Sequence, residues 1–198
     1  MYTLYYLPGA CSLATQVVLR ELNQEVTLIN KNQTENFEQL NPVGTVPVLL
    51  DGDKNLREGA AVMFHILNKH ENELFPASGA AREKAIQDIM FANATMHPAY
   101  GRLFFIAQTL EDGTGKDAAF AAAADAINHL WQVVEQNLGE QRFLGGETLS
   151  AADVMLAVYS AWGEYFPVEI SLGENTQRML DAVKNRPSFN ASVAAEAA

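Results

Sequence analysis

The chain has 198 residues, with 24 acidic against 13 basic side chains, a net charge of −11, and 48% hydrophobic against 19% charged residues. That balance provides no basic face for nucleic acid or anionic lipid, and it supplies enough apolar side chains for a packed core. A single cysteine, Cys11, excludes an intrachain disulfide or a multi-cysteine zinc site.

Residues 2–7 (YTLYYL) are rich in strand formers, and Pro8-Gly9 breaks the run. From Ser12, the residues Leu13, Val17, Val18 and Leu22 repeat at helical spacing, with an end near Asn23. Val26–Ile29 reads as a second strand, and Thr34 as the cap of a brief helix that stops at Asn41-Pro42-Val43-Gly44. A third strand, Val46–Leu50, turns through Asp51-Gly52 into a fourth at Asn55–Arg57, and helical periodicity returns from Glu58 to about Lys69. The order β-α-β-α-β-β-α implies one parallel pair, joined through a crossover helix, and one antiparallel hairpin. A small mixed sheet with helices on both faces follows.

Glu73–Ala81 reads as a linker, and everything beyond it as helix. Arg82 to about Leu110 is expected to be one long helix bent at Pro98, and Lys116–Leu138, with its alanine-rich AAFAAAADA, a second. Leu149-Ser150-Ala-Ala-Asp153 is a capping box with Asp in the place of Glu. The apolar run Val154–Trp162 that it opens belongs in the core of a helical domain. No hydrophobic stretch reaches the ~20 residues of a membrane span. The first basic residue is Arg20, so the start lacks the charged region of a secretory signal. The expectation is a soluble cytoplasmic protein. His65, His70 and His129 have no ligand-like spacing, and no metal is expected.

Four motifs occur in order: Tyr5-Tyr6-Leu7-Pro8-Gly9-Ala10-Cys11-Ser12, Asn41-Pro42-x-Gly44-x-Val46-Pro47-Val48-Leu49, Glu58-Gly59 and Leu149-Ser150-Ala-Ala-Asp153. With Asn185-Arg186-Pro187 near the end, they make the chain resemble the glutathione S-transferases over nearly its whole length, in particular the bacterial beta class, which carries a cysteine where other classes carry Tyr or Ser. The resemblance implies an α/β thioredoxin-like N-terminal domain over residues 1–75 and an all-α C-terminal domain over residues 82–198. It implies no resident cofactor, glutathione as co-substrate, a small hydrophobic electrophile and a homodimer active in detoxification.

Within that resemblance, Val46-Pro47 carries a cis bond, and the Val46 backbone pairs with the glutathione backbone as an added strand would. The N–H of Gly59, at a helix start, takes the γ-glutamyl carboxylate, and Glu58 takes the ammonium. Many family members have Ser at position 59, so a hydroxyl contact is absent here. Ala10 and Cys11 lie beside the sulfur. Cys11, between the Pro8-Gly9 break and the first turn of a helix, occupies a place that favours a thiolate. A lone cysteine is also commonly an inert buried residue. His97 faces the sulfur from the helical domain, and the Ser12 hydroxyl is a further donor. Tyr6 stands where other classes keep a catalytic hydroxyl, with packing as its other role.

Lys31 is the nearest candidate for the glycine carboxylate, in a segment shorter than is usual for the class. Leu7, Ala10, Tyr100, Trp162 and Tyr165 either line the electrophile pocket or form helical core. Met90, Phe91 and Ala94 are expected to face a partner helix, and Asn93 or Thr95 to reach into the partner subunit's site. Besides conjugation, the motifs admit glutathione-dependent disulfide reduction, dehalogenation or isomerisation through Cys11, or a non-catalytic binding protein on the same fold.

Overall fold

The structure, a computed structural model, describes residues 1–197. Strand β1 (Tyr2–Tyr6) is followed by helix α1 (Ser12–Glu21) and strand β2 (Val26–Asn30), which pairs parallel to β1. Strand β3 (Val48–Asp51) runs antiparallel to β1, and β4 (Lys54–Arg57) folds back on β3 through Asp51-Gly52, where Gly52 takes a positive φ. The sheet order is β2-β1-β3-β4.

Alternation along each strand divides the side chains between two faces. Leu4 and Leu49 join α1 and α3 (Gly59–Lys69) in the main core, whereas Tyr5 and Val48 pack on Phe37 of the short helix α2 (Phe37–Leu40). The route into α2 differs from the sequence expectation. Thr34 does not cap α2; it closes the preceding turn, its N–H donating to the Lys31 carbonyl at 3.0 Å and its hydroxyl to the Asn30 carbonyl at 3.1 Å. Asn30 caps a single 3-10 turn, Lys31–Gln33, by accepting from the Asn32 N–H at 2.9 Å. The chain then enters α2 through a left-handed Asn36, a conformation that asparagine tolerates better than threonine.

The segment expected as one helix from Arg82 is helical without a break, and a π turn divides it into two α-helical stretches. Helix α4 (Gly79–Phe91) starts inside the stretch expected to be linker, and α5 (His97–Thr109) follows after a π turn over Ala92–Met96. Pro98 is the second residue after the π turn, and it has no N–H to donate to the preceding turn. Its ring cannot coexist with an α-helical bond to the carbonyl four residues back, so the distortion falls one turn earlier than the expected bend.

Helices α6 (Thr114–Leu138), α7 (Ala151–Ser160), α8 (Glu174–Lys184) and α9 (Pro187–Glu196) complete the chain. Every residue of α7 from Ala151 to Tyr159 is buried. Asp153 closes its capping box: Oδ2 accepts from the Ser150 N–H at 2.8 Å and its hydroxyl at 2.7 Å, and Oδ1 accepts from the Leu144 N–H at 3.0 Å. Burial still pushes the Asp153 carboxyl up to about 6.

One core runs through the sheet half and the helical half. Val17, Val18 and Leu19 of α1 have no exposure, and α1 packs against α3, α7 and α9. Each such side chain contributes about 1.5–3 kcal/mol by leaving water. Arg186, just before α9, forks onto Glu21 at the end of α1 with bonds of 2.8 and 2.7 Å. This pair holds the Glu21 carboxyl below its ordinary value and seats the C-terminal helix on α1. Among the described residues, no helix is long and apolar enough to cross a membrane, and no group of three or more His, Cys, Asp and Glu side chains could hold a metal ion. His65 does find a carboxylate, Asp51 at 2.8 Å, which it shares with Lys69 in a surface ion pair.

Candidate active site

The loop from β1 to α1 turns through an Ala10 N–H bond to the Leu7 carbonyl at 3.1 Å, with Gly9 at φ +69°. The positive φ favours glycine here, and a side chain would also push on the Tyr165 hydroxyl, 3.1 Å from its Cβ. Distant residues hold both backbone groups of Gly9. Its N–H donates to Glu196 Oε2 at 2.8 Å, and its carbonyl accepts from the Trp162 indole at 2.8 Å.

Cys11 follows, at the entrance to α1. Its Sγ donates to the Val46 carbonyl at 3.3 Å, and it feels the charge of Glu58, which brings three loops to one place. The expectation that this position favours a thiolate is corrected. The N–H groups of Cys11 and Ser12 pull its pKa down, but desolvation of the half-buried thiol prevails, pushing it up to about 11. Cys11 is therefore a protonated donor at neutral pH.

Ser12 is also corrected. It is fully buried, and its hydroxyl is engaged with the backbone of Leu7 at 3.4 and 3.5 Å, so it braces the loop and does not face a sulfur. Tyr6 is buried at the end of β1, paired with Asn30.

The second loop is organised by Asn41, only 2% exposed. Its Nδ2 donates to the Thr45 carbonyl at 2.8 Å, and its Oδ1 accepts from the Val43 N–H at 3.2 Å. Val46-Pro47 is cis. Val46 precedes β3, outside the strand ladder, and its carbonyl is the acceptor for Cys11. Lys31 reaches this loop, bonding the Gly44 carbonyl and lying 5.4 Å over the Phe37 ring.

The third element is the start of α3. Glu58 is exposed and adopts φ +70°, a conformation that costs a non-glycine residue of order 1–3 kcal/mol and points to a functional constraint. The first turn of α3 has no side-chain cap, so its N–H groups are available to an anion.

The helical half faces these loops with aromatic rings. His97 is partly buried, edge-on to Tyr159 at 5.2 Å and to Trp162 at 5.1 Å, and burial alone lowers its pKa, which leaves a neutral imidazole at pH 7. Tyr100 is corrected from pocket wall to core. It has no exposure, its oxygen accepts from the Trp131 indole at 2.9 Å, and burial pushes its pKa up to about 12. Trp162, 5% exposed, is a brace for Gly9 more than an open wall. Tyr165 is 62% exposed, and Leu7 and Ala10 are partly buried.

Sequence reasoning missed Phe104, which lies 6.4 Å from Tyr165 and 6.0 Å from Trp162 between ring centroids. It also missed Glu196, for which no local signal exists, and gave Asn41 no role of its own. A polar residue ahead of Pro42-x-Gly44 was the available hint for Asn41. Thr95 is exposed, and Asn93 turns to this chain's own Gly59.

The family described as "Glutathione S-transferase, N-terminal domain" matches residues 1–68. The chain is 31% identical over 187 residues to glutathione S-transferase GST-4.5 of Xanthomonas campestris pv. campestris, covering 89% of this chain and 92% of that one. A sphingomonad glutathione S-transferase complexed with glutathione superposes with a TM-score of 0.84 at 27% identity, covering 98% of each chain. A bacterial beta class glutathione S-transferase of Sphingomonas chungbukensis does so with a TM-score of 0.84 at 26% identity, again over 98% of each. The cysteine, the Val46-Pro47 loop and the uncapped start of α3 thus come together on a shared architecture, and the chain belongs to the glutathione S-transferase family.

Proposed function

We propose that this protein binds glutathione and transfers its thiolate to hydrophobic electrophiles at the seam between residues 1–75 and residues 82–198. The observation that carries the reading is the Cys11 thiol, which lies 3.3 Å from the Val46 carbonyl and so ties the β1–α1 loop to the Val46-Pro47 loop. In this reading Val46 pairs with the cysteinyl backbone, Glu58 and the Gly59 N–H hold the γ-glutamyl end, and Lys31, beside Gly44, takes the glycine carboxylate. The glutathione sulfur then lies near Cys11, whose S–H turns from the Val46 carbonyl to the thiolate.

A thiol of pKa ~8.5 is about 3% ionised at pH 7, and lowering it by two units takes about 2.7 kcal/mol. Donors such as Cys11 and the neutral His97 imidazole supply stabilisation of this order. The thiol proton passes to solvent, the sulfur forms a bond to the electrophilic carbon, and the leaving group departs with its electron pair. A thiol held protonated is a poor nucleophile, which favours conjugation over disulfide exchange through Cys11. Leu7, Phe104 and Tyr165 form the electrophile wall.

We assign the active form to a cytoplasmic homodimer. Ile86 and Met90, one turn apart on α4, are 37% and 41% exposed, and Ala94 continues their line, while Phe91 packs inward on the core. Sedimentation is expected to give twice the 21.7 kDa chain mass, and a monomer at micromolar concentration contradicts this part. The enzymatic reading is tested by mixing the protein, glutathione and an activated aryl halide. Thioether formation well above the rate without protein is expected; no acceleration, with no calorimetric binding of glutathione, overturns it.

A further inference from the structure

Gly59 opens α3 without a side chain, yet the space beside it is filled. A Cβ built on Gly59 would lie 2.8 Å from Oδ1 of Asn93, closer than real side chains approach. The Asn93 amide thus stands where a side chain at position 59 would stand, next to the free N–H groups of the first turn of α3. Asn93 reaches this point from the π turn Ala92–Met96. One extra residue in a helical turn rotates the residues around it by about 100°, and such turns recur at functional sites. The neighbours Ala94 and Thr95 are exposed, while Asn93 is partly buried against the other half of the molecule. An amide carries two N–H donors as well as its oxygen, and a half-turn about its terminal torsion exchanges them.

We propose that Asn93 is a specificity residue for the ligand of α3: its amide nitrogen donates to the α-carboxylate of the γ-glutamyl group, replacing from across the domain seam the contact that Gly59 lacks. The inference rests on the glutathione reading above. It makes positions 59 and 93 one unit. A serine at 59 and the asparagine at 93 compete for the same volume, so either can serve the carboxylate, and a serine at 59 displaces the end of the Asn93 side chain.

Calorimetric binding of two probes tests this: glutathione, and the analogue in which 4-aminobutyrate replaces the γ-glutamyl residue, so that only the α-carboxylate is missing. Asn93→Ala is expected to weaken glutathione about tenfold, in the range of a hydrogen bond to a charged group, and to leave the analogue unchanged. Asn93→Asp, of the same size, is expected to weaken glutathione further by setting like charges together, and it controls for loss of packing. Adding Gly59→Ser to Asn93→Ala should restore most of the affinity, whereas Gly59→Ser alone, which exchanges one donor for the other, should change it little. In turnover, KM for glutathione should rise while kcat changes little.

Equal weakening of both probes by Asn93→Ala marks a structural role and overturns the inference, as does unchanged glutathione affinity in both Asn93 variants. If the unmodified protein binds neither probe, the glutathione reading itself fails and the inference falls with it. If it binds glutathione and the analogue equally, the reading stands and the inference alone is refuted.

Discussion

The sheet half and the helical half contribute to the seam in opposite ways. The sheet half presents backbone: the carbonyl of Val46, the turn at Gly9 and the uncapped N–H groups at Gly59, with a charged side chain, Glu58, held out at a positive φ. The helical half presents side chains, chiefly His97 set edge-on to the rings of Tyr159 and Trp162, and closes over the loops with the Trp162 indole and the Glu196 carboxylate on Gly9. Backbone geometry needs particular residues at particular places, such as a glycine or a proline. A wall of rings needs only apolar bulk. One half should therefore lose ligand affinity when a single polar group changes, and the other should lose stability.

The largest effect is expected in the helical half. Asp153→Ala leaves the buried N–H groups of Ser150 and Leu144 without acceptors and should cost about 3 kcal/mol in chemical denaturation, with the KM for glutathione unchanged in the protein that remains folded. A shift in KM at full stability would break the contrast between the halves. Next comes Glu58→Ala in the sheet half. Glutathione binding should weaken by about 1.5–3 kcal/mol, the range for a hydrogen bond to a charged group, while the melting temperature barely moves. Unchanged affinity removes Glu58 from the site.

The smallest effect concerns the clasp between the halves. Burial holds the Glu196 carboxyl above its ordinary range, although Gly9 and Gln16 donate to it. The folded state therefore keeps this proton more tightly than the unfolded chain, and stability falls as pH rises from the ordinary carboxylate value through the raised one. Glu196→Gln should abolish that slope, an effect below about 1 kcal/mol because the group is partly open to screening water. An identical pH profile in the variant denies Glu196 this role.

The same contrast explains what the sequence disclosed. The succession of strands and helices in the sheet half, the Asp51-Gly52 hairpin and the Ser150–Asp153 capping box depend on local residue chemistry, and each is present in the structure, as is the cis Val46-Pro47 bond that the family resemblance, not the dipeptide, implied. The π turn was not legible, because apolar periodicity continues through Ala92–Met96 and the extra residue leaves no mark in it. Tyr100 and Tyr165 look alike in sequence, yet one bonds Trp131 in the core and the other is largely exposed. The state of Cys11 differs for a related reason: helix position is local and lowers its pKa, whereas the desolvation and the charge of Glu58 that raise it come only with the folded chain. Glu196, the most distant in sequence, gave no sign at all.

In the proposed mechanism a protonated Cys11 stabilises a bound glutathione thiolate. Ultraviolet thiolate absorbance, followed against pH for the glutathione complex after subtracting the free protein, measures this directly. Cys11 itself should contribute nothing at neutral pH, since its own thiol titrates at about 11. The bound sulfur should ionise well below the ordinary value of ~8.5, and its midpoint should move upward in Cys11→Ala. A bound sulfur that titrates at the ordinary value, or one whose midpoint is the same in Cys11→Ala, would contradict the claim.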